Sequence, residues 1–237
     1  MVDNTKVQQD ENFIKKDVLD EINGEPIESL SFSYRIIKRF FDIIISGVML
    51  IIIIPVFVVF SGIYLIGDNK GPLFYRQVRV GRNGKKFKMY KFRSMVVDAD
   101  KKLLENKELY AKYVANSYKL PAGEDPRVTK FGSFIRRTSL DELPQFINIF
   151  IGDMSIIGPR PIVEKELAEY ETAERINKLL SVTPGAMGYW QAIGRSNIEY
   201  PERCEVELYY VDHASLLFDF QIIFKNIISI FKSDGAY

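Results

Sequence analysis

Residues 43–66 read IIISGVMLIIIIPVFVVFSGIYLI, a run of 24 residues without a charged side chain. About 20 apolar residues are enough for a helix to cross the hydrocarbon core of a bilayer. The run is therefore predicted to enter a membrane. Pro55 lies near its centre, where a proline removes a backbone hydrogen bond and bends a helix.

The flanks of this run are basic on both sides. Arg35, Lys38 and Arg39 precede it, and the residues that follow include Lys70 and Arg76. Because positive charge favours the cytoplasmic side of a membrane, two basic flanks give no orientation for a simple span. A helix that bends at its proline and leaves on the side where it entered satisfies both flanks. The residues alone leave the spanning helix and the re-entrant helix as equal alternatives.

The composition restricts the chemistry that the chain can perform. Its 237 residues are 47% hydrophobic and 27% charged, which suits one or two folded domains. A single cysteine, Cys204, excludes an intramolecular disulfide and a thiolate metal site. A single histidine, His213, argues against histidine-based metal sites and a Ser-His-Asp triad. An enzyme of this composition must work with Asp, Glu, Arg, Lys, Ser or Tyr.

The overall net charge of +1 hides a strong asymmetry along the chain. Residues 70–137 hold 18 Lys or Arg against 6 Asp or Glu, a net charge of +12. Residues 138–237 hold 8 against 15, a net charge of −7. A basic middle segment suits anionic lipid headgroups, phosphates or nucleic acid. The adjacent apolar run and the lack of a nucleic-acid-binding motif lead us to expect no nucleic-acid partner.

Local patterns predict the elements around the apolar run. Residues 1–33 are predicted to form a polar tail, because no apolar face persists there. Residues 71–95 alternate apolar and polar side chains on both sides of the turn Gly81–Gly84, which predicts a small β-hairpin with a basic face. Residues 129–137 are expected to form a short helix. Residues 216–231 are apolar with scattered polar groups, which is typical of a helix that lies at a membrane interface.

Residues 138–145 read TSLDELPQ and follow the basic pair Arg136-Arg137. Two carboxylates beside guanidinium groups suit a reaction on a phosphate ester. The arginines can hold phosphoryl oxygens, and a carboxylate can attack phosphorus or bind a divalent metal. On spacing alone, Asp141 and Glu142 also fit the acidic first turn of an ordinary helix.

A capping box is predicted at the start of this acidic segment. Ser139 is a suitable N-cap, and Glu142 follows at the required spacing. The helix would continue through Phe150. Its dipole would favour an anion such as phosphate near Asp141.

Taken together, these segments resemble the monotopic polyprenol-phosphate phosphoglycosyl transferases, the sugar transferases that initiate bacterial capsule, exopolysaccharide and O-antigen synthesis. The resemblance extends from about residue 34 to about residue 231. Its motifs are specific in combination: KRFFD at 38–42, GPLFYRQ at 71–77, KFRSM at 91–95, DPRVT at 125–129, RRTSLDELPQ at 136–145, GDMSIIGPRP at 152–161 and PGAMGYWQ at 184–191.

The resemblance implies a reaction. A UDP-sugar and undecaprenyl phosphate give undecaprenyl-diphospho-sugar and UMP. Asp141 would be the nucleophile that forms a covalent phosphosugar, and Glu142 would support Mg²⁺ or the carboxylate geometry. A glucose- or galactose-type donor is favoured by residues 194–196 and 209–219. The first membrane step of exopolysaccharide or capsule synthesis is the implied role.

The resemblance also assigns roles around this pair. Mg²⁺ would bind at Asp141 and Glu142. Lys91 and Arg93 would line the nucleotide side. Phosphate contacts are assigned to Arg127, Arg136, Arg137 and Arg160.

The implied fold is α+β and mainly helical. A re-entrant membrane helix bent near Pro55 occupies residues 34–68, although Ile54 stands where some members have serine. Residues 69–237 form a catalytic domain with a small basic hairpin and amphipathic helices that lie at the interface. This domain is expected on the cytoplasmic face of the bacterial cytoplasmic membrane, at the inner leaflet. The chain is expected to be the minimal catalytic unit, and dimerisation is left open.

A non-catalytic membrane scaffold of a polysaccharide assembly complex is the alternative from a different class. Such a scaffold would use the basic hairpin to hold anionic lipids or assembly proteins. It would tolerate the loss of both acids and would not need Mg²⁺.

Overall fold

The computed structural model describes residues 30–115, 120, 123, 125–194 and 198–231. The predicted tail therefore lies outside the described residues up to position 29, as do positions 195–196. The described chain is mainly helical, with two small sheets, which confirms the coarse fold class. Its elements are α1 (Phe32–Ile63), β1 (Phe74–Val80), β2 (Lys86–Phe92), α2 (Ala99–Glu105), α3 (Lys107–Ala115), α4 (Lys130–Arg137), α5 (Gln145–Ile151), β3 (Ser155–Ile157), α6 (Ala173–Leu180), β4 (Gly185–Met187), α7 (Tyr189–Ile193), α8 (Glu202–His213) and α9 (Leu216–Phe231).

Helix α1 contains the apolar run and bends beside its proline. Its parts Phe32–Ile52 and Ile54–Ile63 meet at 49°. Pro55 has no N–H to donate to the carbonyl of Ile51, which accounts for a bend at this point. Within the described residues, no unbent helix has the length and apolarity to cross a membrane, whereas this bent pair meets both criteria together. The bend is as predicted, and re-entry into a membrane stays a prediction.

The predicted hairpin is present as the two-stranded sheet of β1 and β2. Its turn uses Asn83 with φ 54° and ψ 33° and Gly84 with φ 72°, which are left-handed conformations that asparagine and glycine tolerate. The Gly81 N–H donates to the Lys85 carbonyl at 2.9 Å and closes the turn.

The described residues form two compact units, and the first comprises those that fall within 1–48, 77–89 and 146–235. In its described part, β3 and β4 pair in parallel, with Ser155 opposite Gly185 and Ile157 opposite Met187. Two apolar clusters form its core. One contains Val80, Ile162, Leu167, Tyr170, Ile176, Leu179, Leu180, Cys204 and Leu208. The other contains Phe87, Met89, Ile149, Met154, Ile156, Ile157, Tyr210 and Ile222.

The polar start of α1 is bonded into this first unit. Arg39 donates to the carbonyls of Ile149 and Phe150 at 2.6 and 2.7 Å. These carbonyls lie at the end of α5, where a helix leaves acceptors unsatisfied. The buried Asp42 carboxylate accepts from the Ile156 N–H at 2.9 Å. Further contacts join Tyr34 and Lys38 to Asp219 of α9, at 2.8 and 2.6 Å.

The second unit comprises the described residues within 49–76 and 90–145. Aromatic rings form much of its described core. The Phe60 ring lies 4.8 Å from both Phe92 and Phe131, measured between ring centroids. Such tilted and edge-to-face pairs add to the free energy gained by burying the rings. Ile135 of α4 is fully buried in the same cluster, so this core holds the helix that precedes the acidic pair.

Candidate active site

The candidate site in the second unit starts where two sequence motifs pair. Met95 and Val128 form an antiparallel bridge. On either side of it, the Val96 N–H donates to the Arg127 carbonyl at 2.8 Å and the Thr129 N–H donates to the Ser94 carbonyl at 3.2 Å. The bridge therefore fixes the KFRSM segment against the DPRVT segment.

Helix α4 begins at this bridge and leads to the acidic pair. The Thr129 hydroxyl accepts from the Gly132 N–H at 2.8 Å, which caps the helix as its residue type favours. This confirms the predicted short helix. Its last two residues are Arg136 and Arg137. A helix C-terminus favours cations, so the arginines suit this end.

Asp141 lies in the tight 3-10 turn Leu140–Glu142. The predicted capping box is wrong. Ser139 has φ 55° and ψ 16°, a left-handed conformation, and its side chain makes no capping bond. A continuous helix would also need an N–H at Pro144, which proline lacks. The next helix therefore begins at Gln145.

The Asp141 carboxyl is half-buried and its acidity is perturbed. Burial raises its pKa above the ordinary value for aspartate. The charge of Lys91 opposes this rise, that of Glu142 adds to it, and that of Arg136 lowers the pKa again. The structure therefore brings Asp141, Glu142, Lys91 and Arg136 together within one unit.

Lys91 is paired with the second acid. Its Nζ lies 2.6 Å from Oε1 of Glu142, and both side chains are partly exposed. Because water screens such a pair, its net contribution to folding is small, on the order of 0–1 kcal/mol. The main effect of the pair is to hold the Lys91 ammonium group beside the acidic turn.

Arg93 and Arg127 are occupied by contacts with the chain itself. The Arg93 guanidinium donates to the carbonyls of Pro72 at 2.9 Å and Met95 at 2.6 Å, and also to that of Asn69. Arg127 forms a two-point pair with Asp125, at 2.8 and 2.7 Å, which holds the pKa of that carboxyl below its ordinary value despite burial. These contacts leave the nucleotide role of Arg93 and the phosphate role of Arg127 as predictions.

Arg136 and Arg137 differ in their surroundings. The Nε of Arg136 donates to the buried Ser94 hydroxyl at 2.7 Å. The Arg137 side chain is exposed and makes no hydrogen bond or ion pair with the described residues. Both precede the acidic turn in sequence, and the charge of Arg136 is among the influences that lower the pKa of Asp141.

Arg160 belongs to the first unit, where it follows β3 in the loop Pro159–Pro161. Its backbone N–H donates to Oε2 of Glu207 at 3.1 Å. Glu207 is 2% exposed, and burial raises its pKa to about 7, while Arg203 and the contacts from Arg160 lower it. A buried carboxylate thus supports the loop that presents Arg160.

The donor set fits magnesium only in part. In the regions that the structure describes, no group of three or more His, Cys, Asp or Glu could enclose a metal ion. Mg²⁺ typically uses one or two protein carboxylates and completes its shell with waters and substrate phosphates. Adjacent Asp141 and Glu142 supply oxygen ligands of that kind, so the residues present fit a shared protein and substrate site.

Sequence reasoning missed Ser94, Asp125 and Glu207. Each is buried or nearly so and contacts an arginine that the sequence did identify. Ser94 lies 42 positions before Arg136, and Glu207 lies 47 positions after Arg160. No local spacing indicates such pairs. Asp125, two residues before Arg127, could have been found from its spacing.

Comparison with known proteins gives one family. The family model described as bacterial sugar transferase matches residues 33–233. The undecaprenyl-phosphate galactose phosphotransferase of Salmonella typhimurium is 42% identical over 208 residues, which are 86% of this chain and 42% of that protein.

Two further relatives differ in length. The exopolysaccharide production protein ExoY of Sinorhizobium fredii is 42% identical over 204 residues, covering 84% of this chain and 88% of ExoY. The UDP-glucose:undecaprenyl-phosphate glucose-1-phosphate transferase of Escherichia coli is 37% identical over 230 residues, covering 92% of this chain and 46% of that protein. The chain thus spans less than half of the Salmonella and E. coli proteins and most of ExoY. The family match and these identities show that the chain belongs to the bacterial sugar transferase family.

Proposed function

We propose that this chain transfers a hexose-1-phosphate from a UDP-sugar to undecaprenyl phosphate and releases UMP. The observation that carries the proposal is the half-buried Asp141, on which the charges of Lys91, Arg136 and Glu142 act. The names of the Salmonella and E. coli relatives support undecaprenyl phosphate as the acceptor and a galactose or glucose donor. The name of ExoY supports a role in exopolysaccharide production.

The first half-reaction uses Asp141 as a nucleophile. A carboxylate oxygen attacks the β-phosphorus of the donor, and the bond from that phosphorus to the bridging oxygen breaks. The bridging oxygen leaves with UMP, and the phosphosugar stays on Asp141 as an acyl phosphate. An ionised carboxylate needs no base to activate it. Lys91 and Arg136 supply positive charge against the phosphoryl oxygens as negative charge develops.

The second half-reaction releases the product. A phosphate oxygen of undecaprenyl phosphate attacks the phosphorus of the phosphosugar. The bond between that phosphorus and the Asp141 oxygen breaks, and the carboxylate returns to its ionised form. The two substrates therefore use one site in turn, which is a ping-pong mechanism.

Magnesium would be held by Asp141 and Glu142 together with the donor phosphates. When bound, Mg²⁺ supplies charge neutralisation at the phosphoryl oxygens. Lys91, paired with Glu142 at 2.6 Å, orients that carboxylate and adds a further positive charge at the turn.

The chain is proposed to work at the cytoplasmic membrane, with the catalytic residues on the cytoplasmic face. Two features support this placement. Helix α1 exposes apolar side chains on both sides of its bend, among them Ile52 and Val58. Helix α9 exposes Leu217, Phe220 and Phe224, an apolar face that suits the interface of the inner leaflet.

The test is UMP release from a panel of UDP-sugars by the full chain in detergent, with undecaprenyl phosphate and Mg²⁺. The wild type should release UMP from a glucose or galactose donor, and Asp141→Asn should reduce the rate to background. Glu205→Gln is the control. Glu205 pairs with Arg175 on the surface at 2.6 Å, so that variant should retain wild-type turnover.

A second measurement separates the enzyme from the scaffold alternative. Donor without acceptor should leave a hexose-phosphate adduct on Asp141, visible by mass spectrometry of the digested protein. Full turnover by Asp141→Asn would remove Asp141 from its role. A wild type that releases no UMP from any donor and forms no adduct would favour the scaffold.

A further inference from the structure

Arg136 is fixed through one nitrogen of its guanidinium group. Its Nε donates to the Ser94 hydroxyl at 2.7 Å. Its two terminal nitrogens form no hydrogen bond or ion pair with any residue that the structure describes. A guanidinium is planar, so a bond at Nε restricts the direction of the edge formed by the terminal nitrogens. That edge has the geometry for two-point contact with phosphate.

Ser94 is itself held rigidly against helix α4. It is buried, and its carbonyl accepts from the Thr129 N–H at 3.2 Å. The next residue, Met95, pairs with Val128. Gly132 approaches so closely that a Cβ there would lie 1.8 Å from the Ser94 carbonyl oxygen. The hydroxyl therefore has a fixed position relative to the helix that carries Arg136.

Arg136 also lies directly before the acidic turn. Its carbonyl accepts from the Ser139 N–H at 3.1 Å, and the Ser139 carbonyl accepts from the Glu142 N–H at 3.2 Å. A phosphoryl group at Asp141 would therefore lie close to the helix end that carries this guanidinium. Arg93 and Arg127 differ in this respect, since each directs terminal nitrogens at chain oxygens. Among these three arginines, Arg136 is the one with both terminal nitrogens available.

We propose that Ser94 is a positioning residue for Arg136. Its hydroxyl orients the guanidinium so that the two terminal nitrogens bind the phosphoryl oxygens of a diphosphate at Asp141. This inference rests on the proposed function and identifies the group that orients its phosphate contact. Ser94 does not itself touch the substrate.

The first arm of the test is a double-mutant cycle on donor turnover, with Ser94→Ala, Arg136→Lys and the double variant. Ser94→Ala should lower kcat/KM about 10-fold, the loss expected for one hydrogen bond to a charged group. It should cause no further loss in the Arg136→Lys background, because the bonded nitrogen is already absent there. Ser94→Thr keeps the hydroxyl and should restore most of the rate.

The second arm measures the affinity of the same proteins for inorganic pyrophosphate by calorimetry, which does not depend on turnover. Ser94→Ala should weaken binding in the wild-type background and leave it unchanged in the Arg136→Lys background. Ser181→Ala is the matched control, since Ser181 is also buried and donates to the Lys178 carbonyl at 2.7 Å. It should leave both readouts unchanged. Thermal unfolding of every variant identifies any that fail to fold.

The outcomes separate this inference from the proposed function. Equal losses from Ser94→Ala in both backgrounds would overturn the role of Ser94 and leave the transferase proposal intact. If the wild type turns over no donor, the function fails, and the pyrophosphate cycle still decides the role of Ser94. Failure of the wild type to bind pyrophosphate would overturn the inference as well.

Discussion

At the scale of single residues, the acidity of Asp141 results from opposing influences on one carboxyl group. Burial and Glu142 raise its pKa, while Lys91 and Arg136 lower it. Burial is the largest of these influences, so the pKa lies above the ordinary aspartate value of about 3.9. An aspartate in this setting is a stronger nucleophile when ionised, and it is protonated over a wider range of acidic pH.

The pH dependence of the donor reaction should therefore respond to the neighbours of Asp141. Only the ionised carboxylate attacks, so kcat/KM should rise with pH through the pKa of Asp141. Lys91→Met removes a charge that lowers this pKa and should move the acidic limb to higher pH. Glu142→Gln removes a charge that raises it and should move the limb to lower pH. The measurement is kcat/KM for the donor across the acidic and neutral range.

The opposite directions expected for the acidic limbs of Lys91→Met and Glu142→Gln serve as a control for each other. Lys91 and Glu142 are paired, and removing either partner frees the other to act more strongly on Asp141, which reinforces the expected direction. Limbs that move the same way in both variants would contradict the assignment of the limb to Asp141.

Much of the site could be predicted at this scale, because its residues are contiguous motifs. Arg136, Asp141 and Glu142 lie within seven positions of one another, and the structure keeps them in one unit. The support of the arginines could not be predicted. The contact of Ser94 with Arg136 and that of Glu207 with Arg160 depend on how segments distant in sequence pack, which no local pattern encodes.

At the scale of elements, helix α4 depends on a close approach to the strand segment beside it. A Cβ at Gly132 would meet the Ser94 carbonyl oxygen at 1.8 Å and its carbonyl carbon at 2.6 Å. Both atoms are backbone, so no side-chain rotation can relieve the contact. Glycine is therefore required here by the close approach of the Ser94 backbone. Backbone conformation does not require it, because the φ of Gly132 is not positive.

Gly132→Ala should therefore destabilise the chain by about 1–3 kcal/mol or more, the cost typical of overpacking a core. The control is Gly62→Ala in α1, which has no heavy atom within 4 Å of the added Cβ and should show no loss. Thermal unfolding followed by circular dichroism in detergent measures both. A Gly132→Ala protein as stable as the wild type would show that the helix can shift away from Ser94.

Elements with complete local patterns were predicted well. The bounds of α9 agree with the predicted range 216–231, and the hairpin and the helix capped by Thr129 are present. The predicted helix from Ser139 failed because one residue, Pro144, interrupts it, and because Ser139 adopts a left-handed conformation. The conformation of the turn that carries Asp141 depends on tertiary contacts around it, which local sequence patterns do not encode.

At the scale of the whole molecule, the path of α1 decides which side of a membrane each flank occupies. A re-entrant helix places both flanks on the cytoplasmic side. Ser31→Cys and Asp68→Cys, each in a Cys204→Ala background, should then resist a membrane-impermeant maleimide in intact cells. Both positions are exposed, so both should react after permeabilisation.

The alternative path gives a different labelling pattern. A plain span would place one flank outside, and one of the two cysteines would react in intact cells. The native Cys204 is fully buried in the first unit and is far in sequence from both labelled positions. Replacing it removes the background labelling that a native cysteine would give.

The contacts of Arg39 and Asp42 give α1 a structural role in the first unit, separate from its proposed place in a membrane. They satisfy two carbonyls at the end of α5 and an N–H of β3. A lipid tether or an unrelated transmembrane segment would hold the chain at a bilayer and leave these groups without partners. Cutting the chain at residue 69 to obtain a water-soluble enzyme should therefore yield a misfolded product. The N-terminal part of α1 is therefore a structural component of the first unit, and any redesign that exchanges the proposed anchor must also supply partners for these groups.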